Sequence, residues 1–235
     1  MRQAYKNLGY FFIALFIITL AGFYKTYIGI APQFKGLTPF AHIHFAAFTL
    51  WFALLITQPF LIKNNKVKLH RILGKASYFL VPILVVTANE MQKIGFERDI
   101  LLYPRPAVLS GLLLTYLDLF FFVTCYIVAM VYRKKLAVHI CFIIGTSLIL
   151  LGPGLGRLIG QTLGRDVALL TAAIAPRLII IGFMIFEKVK LKRGILQSPF
   201  LLLFGLFMLK LILFFILPTS SFWLWTADKI VKYFY

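Results

Sequence analysis

The chain carries four histidines, and their placement points to haem or metal chemistry. Two imidazoles from different helices at one depth are what a b-type haem needs as axial ligands. His70 and His139 each stand beside the start of a long apolar run, on what the charge pattern makes the same inner side. Gln58, on the inner half of the preceding run, is placed to hydrogen-bond either histidine or a quinone carbonyl, or to bridge two helices. His42 and His44 form a second candidate metal pair at the opposite, outer end. Residues two apart on a helix point in nearly opposite directions, so only one of the two faces any given ion. The plainer alternative for all four is a polar group at the headgroup level.

A second set of residues is ionisable and deep. Asp118, Arg177 and Lys210 fall near the centres of apolar runs, where a charge is costly and marks a functional position by default. At about 1.5 Å per residue, Asp118 lies roughly 18 Å and Arg177 roughly 15 Å below the outer ends of their runs. The matching depths predict an Asp118–Arg177 ion pair. Lys210 would then be an excess cation that must be neutralised, hydrated or met by an anion. Arg157, near the outer end of another run, is placed to hold an acidic group such as Glu90. Bundle-stabilising pairing and a transport or small-molecule binding role both fit these residues.

Positioning such groups requires long helices in a lipid solvent. Hydrophobic residues make up 61% of the chain and charged residues 14%, and a bilayer core needs roughly 20 apolar helical residues to cross. About seven runs meet that need: 8–30, 39–62, 72–92, 106–132, 136–162, 167–186 and 198–218. The expected fold is an all-α integral membrane bundle of seven transmembrane helices in a single domain, 1–235. Thr38 with Pro39, and Ser198 with Pro199, are start signals for the second and seventh runs. Pro218 ends the seventh.

The connecting segments set the orientation. Arg2 and Lys6, the 63–71 segment (Lys63, Lys66, Lys68, Arg71), the turn Arg133-Lys134-Lys135, and the 187–193 segment (Lys188, Lys190, Lys192, Arg193) alternate with segments of lower net positive charge. Basic connections stay cytoplasmic, so the N-terminus is expected inside and the C-terminus outside. The net charge of +18 then reflects cytosolic retention and attraction to anionic lipid headgroups at the cytoplasmic face rather than nucleic acid. The apolar start following basic residues is read as an uncleaved first span rather than a signal peptide. Residues 219–235, with Trp223, Trp225 and a terminal Tyr233–Tyr235 cluster, are expected to form a short helix on the outer surface.

Other features are read as packing. Cys125 and Cys141 fall inside apolar runs as small buried hydrophobes. Gly152, Gly156 and Gly160 are spaced by four, predicting a face on which a neighbouring helix approaches closely, and Pro153 predicts a kink. No nucleotide-binding glycine motif occurs.

The His42-Ile43-His44 triplet, then Leu69-His70-Arg71-Ile72-Leu73-Gly74-Lys75, then His139 on a later helix, resembles a family of uncharacterised bacterial multi-pass membrane proteins with a His-Arg-x-x-Gly motif. That family is loosely similar to membrane b-type cytochromes. The resemblance covers about residues 40–160. It implies a helical bundle of the bacterial cytoplasmic (inner) membrane whose histidines act together, with haem b as cofactor; a quinone or a membrane redox partner is the expected partner of such a component. The sequence therefore favours a redox component with ligands His70 and His139. A transporter or binding protein centred on Asp118, Arg177 and Lys210, and a cofactor-free accessory subunit, remain open.

Overall fold

A computed structural model describes residues 5–235. Arg2, part of the expected N-terminal basic cluster, lies outside the described residues. Eight α-helices follow in order: α1 (Leu8–Gly22), α2 (Pro39–Lys63), α3 (Val67–Asp99), α4 (Arg105–Val131), α5 (Leu136–Leu163), α6 (Arg165–Leu191), α7 (Pro199–Ile216) and α8 (Ser221–Phe234). Helices α2 to α7 are each long and apolar enough to cross a membrane. The chain is a multi-pass membrane protein built as a helical bundle, and its outer helix faces contact lipid.

The first and third expected runs have different bounds, and the sixth, expected to end at 186, continues to Leu191. The first, 8–30, is helical only from Leu8 to Gly22 and continues as turns with a short 3-10 segment at Ile28–Ile30. Its 15 helical residues rise about 22 Å against a hydrocarbon core of about 30 Å. The third, expected at 72–92, extends over 33 residues from Val67 to Asp99. No glycine or proline pair breaks it after 92. Its polar second half keeps helical hydrogen bonding, so most of the expected outer connection is helix and His70 lies inside the first turns of α3.

Local chemistry explains the breaks. Gly164, at φ +89°, supplies the left-handed residue that separates α5 from α6 in a single step. Ser198 caps α7, its side-chain oxygen accepting from Phe200 N–H at 3.2 Å. Thr38 stands at the N-cap of α2 but makes no side-chain cap bond, and its buried hydroxyl has no partner among the described residues.

Helix α5 is the hub, packing on α1, α4, α6 and α7, while α2 pairs with α3 and α8 lies on α4. Phe12, Trp51, Phe52, Phe121 and Phe142 form a fully buried aromatic core between these helices. The tight crossings use glycines other than those expected. A Cβ on Gly22 would run into the backbone of Gly154, and one on Gly154 would meet Thr19 of α1 at 2.7 Å from its Cα. Added Cβ atoms on Gly152 and Gly156 would meet nothing, and one on Gly160 only Ala168 at an ordinary 3.5 Å. The close-approach face of α5 is thus the Gly154 face, because α1 crosses there. Pro153 sits inside a continuous α5.

Cross-helix contacts define the two ends. At one end Tyr5 meets Glu187, Lys63 lies over the Tyr10 ring, Ser77 meets Tyr126 and His139 meets Ala129. The basic connections 63–68, 133–135 and 188–193 gather there. At the opposite end Tyr27 bonds His42, Gln161 donates to Gly22 O, and Trp223 donates to Leu109 O.

Residues 219–235 are more than a surface helix. Trp223 and Ala227 of α8 are buried. Its indole N–H donates to Leu109 O at 2.9 Å, and Arg105 pairs with Asp228 at 2.6 Å.

Candidate functional site

A cavity of about 1200 Å³ enters the bundle at the lysine-rich end, between α1, α2, α3, α4 and α5. Its mouth carries Lys6, Lys63, Arg71, Lys75, Arg133 and Lys134, all exposed. Below the mouth lie Gln58, His70 and His139, and Trp51 and Tyr126 line the depth with Phe12 and Ile143. Trp51 and Lys63 are twelve residues apart on α2, about 18 Å along the axis. The cavity therefore reaches well into the apolar part of the bundle.

The polar groups in this wall have fixed roles. Gln58, with its amide turned so that each atom finds a complementary partner, donates to His70 Nδ1 and to the His70 carbonyl and accepts from Gly74 N–H at 3.2 Å. A neutral imidazole that accepts at Nδ1 carries its proton on Nε2, so His70 is a donor at that nitrogen. His139 is the reverse. Its Nδ1 lies 2.8 Å from the Ala129 carbonyl and must donate to it, which leaves the Nε2 lone pair free. Ser77 donates to Gly74 O at 2.6 Å and lies 2.8 Å from Tyr126 Oη, so Tyr126 donates to Ser77. Trp51 is 2% exposed, and its indole N–H has no acceptor among the described residues. Buried donors are nearly always paired; this one is enclosed by the surrounding side chains rather than open to the cavity.

The outer histidines are held apart. His42 bonds Tyr27 Oη at 2.8 Å and His44 bonds Thr87 Oγ1 at 3.0 Å. Each imidazole is committed to a different neighbour, as the two-residue offset requires. Among the described residues, no three His, Cys, Asp or Glu side chains group as metal ligands.

The deep charges pair differently from the sequence expectation. Asp118 bonds Lys210, not Arg177. Helix α7 packs on α4, whereas α6 packs on α5 and α7; equal depth does not make α4 and α6 neighbours. Arg177 instead donates to the Ala173 and Phe207 carbonyls. Lys210 is consequently the partner of the carboxylate rather than an excess cation. Arg157 does not meet Glu90. Its guanidinium lies 4.5 Å over the Phe23 ring and donates to Pro153 O at 3.3 Å.

One buried cluster has no counterpart in the sequence reading. Glu187, counted there as a loop acid, is 0% exposed. Its carboxylate accepts from Tyr5 Oη at 2.8 Å, Arg193 at 2.8 Å and Ser198 Oγ at 2.6 Å. Burial, then the bond to this carboxylate, holds the Tyr5 phenol far above its ordinary pKa. The cluster ties the start of α1, the end of α6 and the start of α7 together. Trp51 was also missed, although His44, Trp51 and Gln58 recur at seven-residue spacing along one face of α2.

Compared with protein-family models, curated proteins and solved structures, the chain matches none.

Proposed function

We propose that this membrane protein takes an amphiphilic small molecule into the cavity from the lysine-rich end and acts on or through that molecule. The observation that carries this reading is the cavity of about 1200 Å³ itself, with largely apolar walls, Gln58, His70 and His139 placed in them, and a mouth ringed by cations. Apolar walls with few placed polar groups are the usual makeup of a ligand site. The lysine-rich end is assigned to the cytosol by the basic-inside rule. Seven crossings, α1 included, then put the N-terminus inside and the C-terminus outside, in the inner membrane of a bacterium. Labelling Lys66 and Lys134 in sealed vesicles from a single side checks that arrangement; reaction from opposite faces contradicts it.

The test of the ligand reading uses Gly74, which lines the cavity and whose added Cβ would meet nothing. Gly74→Phe fills the space, and replacing a helical glycine favours the helix by up to about 1 kcal/mol. Solvent extraction and mass spectrometry of the purified protein should recover a stoichiometric amphiphile that Gly74→Phe lacks. Equal recovery from both proteins contradicts the reading.

A haem reading has one specific support. A metal-bound histidine usually donates its other ring nitrogen to a carbonyl or carboxylate, and His139 is held that way by Ala129 O. His70 does not fit as the second ligand while Gln58 occupies its Nδ1. Haem b would rest on His139 through Nε2 with its acidic groups toward the cationic mouth, and would supply one-electron redox chemistry there. Purified protein from haem-supplied cells should then show a Soret band that His139→Ala removes and His70→Phe retains. A colourless preparation contradicts the haem reading alone.

A further inference from the structure

The cations at the mouth of the cavity have no counter-charge. Lys6 precedes α1, Lys63 ends α2, Arg71 and Lys75 stand one turn apart on α3, and Arg133 and Lys134 belong to the turn between α4 and α5. All six line the same space, and none of the seven acidic residues of the chain does. Residues 1–4 contain no acid either. Glu187, the acid at this end of the bundle, is 0% exposed and already bonded to Tyr5, Arg193 and Ser198. Among the described residues no carboxylate pairs with any of the six. Lys63 rests over the Tyr10 ring, and Arg133 gives an N–H to Met130 O at 3.3 Å; both contacts leave the charge in place. Like charges gathered from four segments onto one opening repel, and an anion held among them removes that cost.

The arrangement is local. Lys188 and Lys190 are exposed at the same end but do not line the cavity. A basic surface would attract anionic lipid everywhere; here the cations converge on an opening that leads down between apolar walls. Resting on the amphiphile reading above, we infer that the cavity holds one long-chain phosphate monoester, its head among the six cations and its tail in the apolar depth. Such a head carries about −1.5 to −2 charge at pH 7 and three acceptor oxygens, whereas a carboxylate or a phosphodiester brings a single charge. Arg71 and Arg133 come from different segments, and each guanidinium fork matches a pair of phosphate oxygens.

The test is native mass spectrometry of the detergent-solubilised protein titrated with hexadecyl phosphate. One saturable adduct is expected, absent in Gly74→Phe and kept in Gly74→Ala. Hexadecyl phosphocholine and hexadecanoate, with chains of the same length, should bind at least about tenfold more weakly. Arg71→Gln combined with Arg133→Gln should weaken hexadecyl phosphate about tenfold, the value of two partly exposed charge pairs. Lys188→Gln combined with Lys190→Gln should leave it unchanged. Equal affinity for the phosphocholine or the carboxylate overturns the phosphate head. So does an arginine double variant that binds like the wild type, or a lysine double variant weakened as much as the arginine one. Inorganic phosphate that displaces the adduct at equal concentration makes the ligand a soluble anion and overturns the tail. Phosphatidylglycerol that competes equally makes it a bulk membrane lipid and overturns the monoester. If extraction recovers an amphiphile that Gly74→Phe lacks and hexadecyl phosphate does not bind, the phosphate fails and the amphiphile reading stands; if neither is found, both fail.

Discussion

At the residue scale the bundle is organised by a few buried polar contacts. The Asp118–Lys210 side chains are only 17% and 18% exposed, in helices otherwise apolar on that stretch. Removing one partner strands the other, which typically costs about 3–5 kcal/mol, while replacing both with neutral groups is often tolerated. Lys210→Met should therefore lower the thermal midpoint of the detergent-solubilised protein sharply. Asp118→Asn combined with Lys210→Met should recover most of the loss; a double variant as damaged as the worse single one contradicts the pairing. The Glu187 cluster makes a second case. Tyr5→Phe removes one of three bonds to a buried carboxylate, a loss of about 1.5–3 kcal/mol for a hydrogen bond to a charged group. Glu187→Gln should cost more, because Arg193 loses its counter-charge as well. Equal stability of Tyr5→Phe and the wild type would mean that Tyr5 does not reach Glu187 in solution.

At the element scale the glycines of α5 offer a direct contrast. Gly154→Ala drives a methyl into Thr19 and should loosen α1 from α5, since the contact is backbone that cannot swing aside. Gly152→Ala meets open space and should be neutral or stabilising by up to about 1 kcal/mol. Limited proteolysis after Gly22 reads the difference; equal protection of the two variants contradicts the α1–α5 crossing. Helix α8 is held at its exposed side by Arg105–Asp228, where the hydrogen bond from Arg105 and then its charge hold the Asp228 carboxyl below its ordinary value of 3.8. A carboxyl depressed in the folded state contributes its stabilisation above the unfolded value and loses it as pH falls through the folded one. Loosening of α8 by this contact is therefore expected only below pH 3.8, read as a red shift of Trp223 emission. A shift near neutrality contradicts it.

At the scale of the molecule, the class and most helix bounds were legible because span length and apolar composition are nearly one-to-one with membrane crossing. Helices α2, α4, α5 and α7 begin within a residue or so of the sequence expectation. What composition does not encode is which helices are neighbours. Asp118 was matched to Arg177 by depth, yet depth leaves the lateral arrangement open, and α7 rather than α6 stands beside α4. The glycine face was misassigned for the same reason: a spacing of four names three residues that share a side, not the side that α1 crosses. His70, His139 and Gln58 were singled out from type and position, and all three line one cavity. Their different hydrogen-bond roles were not readable, since these depend on a carbonyl at Ala129 and a backbone N–H at Gly74. The Glu187 cluster was hidden because Glu187, Arg193 and Ser198, near the end of α6 and the start of α7, meet Tyr5 from the far end of the chain.

Ligand binding in the cavity is the property on which the function of this protein turns. The direct measurement is a structure of the protein transferred from its native membrane into lipid nanodiscs without delipidation. It should show density running from the Arg71 and Lys63 mouth past Gln58, His70 and His139 into the apolar part of the cavity. A closed or empty space there would contradict ligand binding.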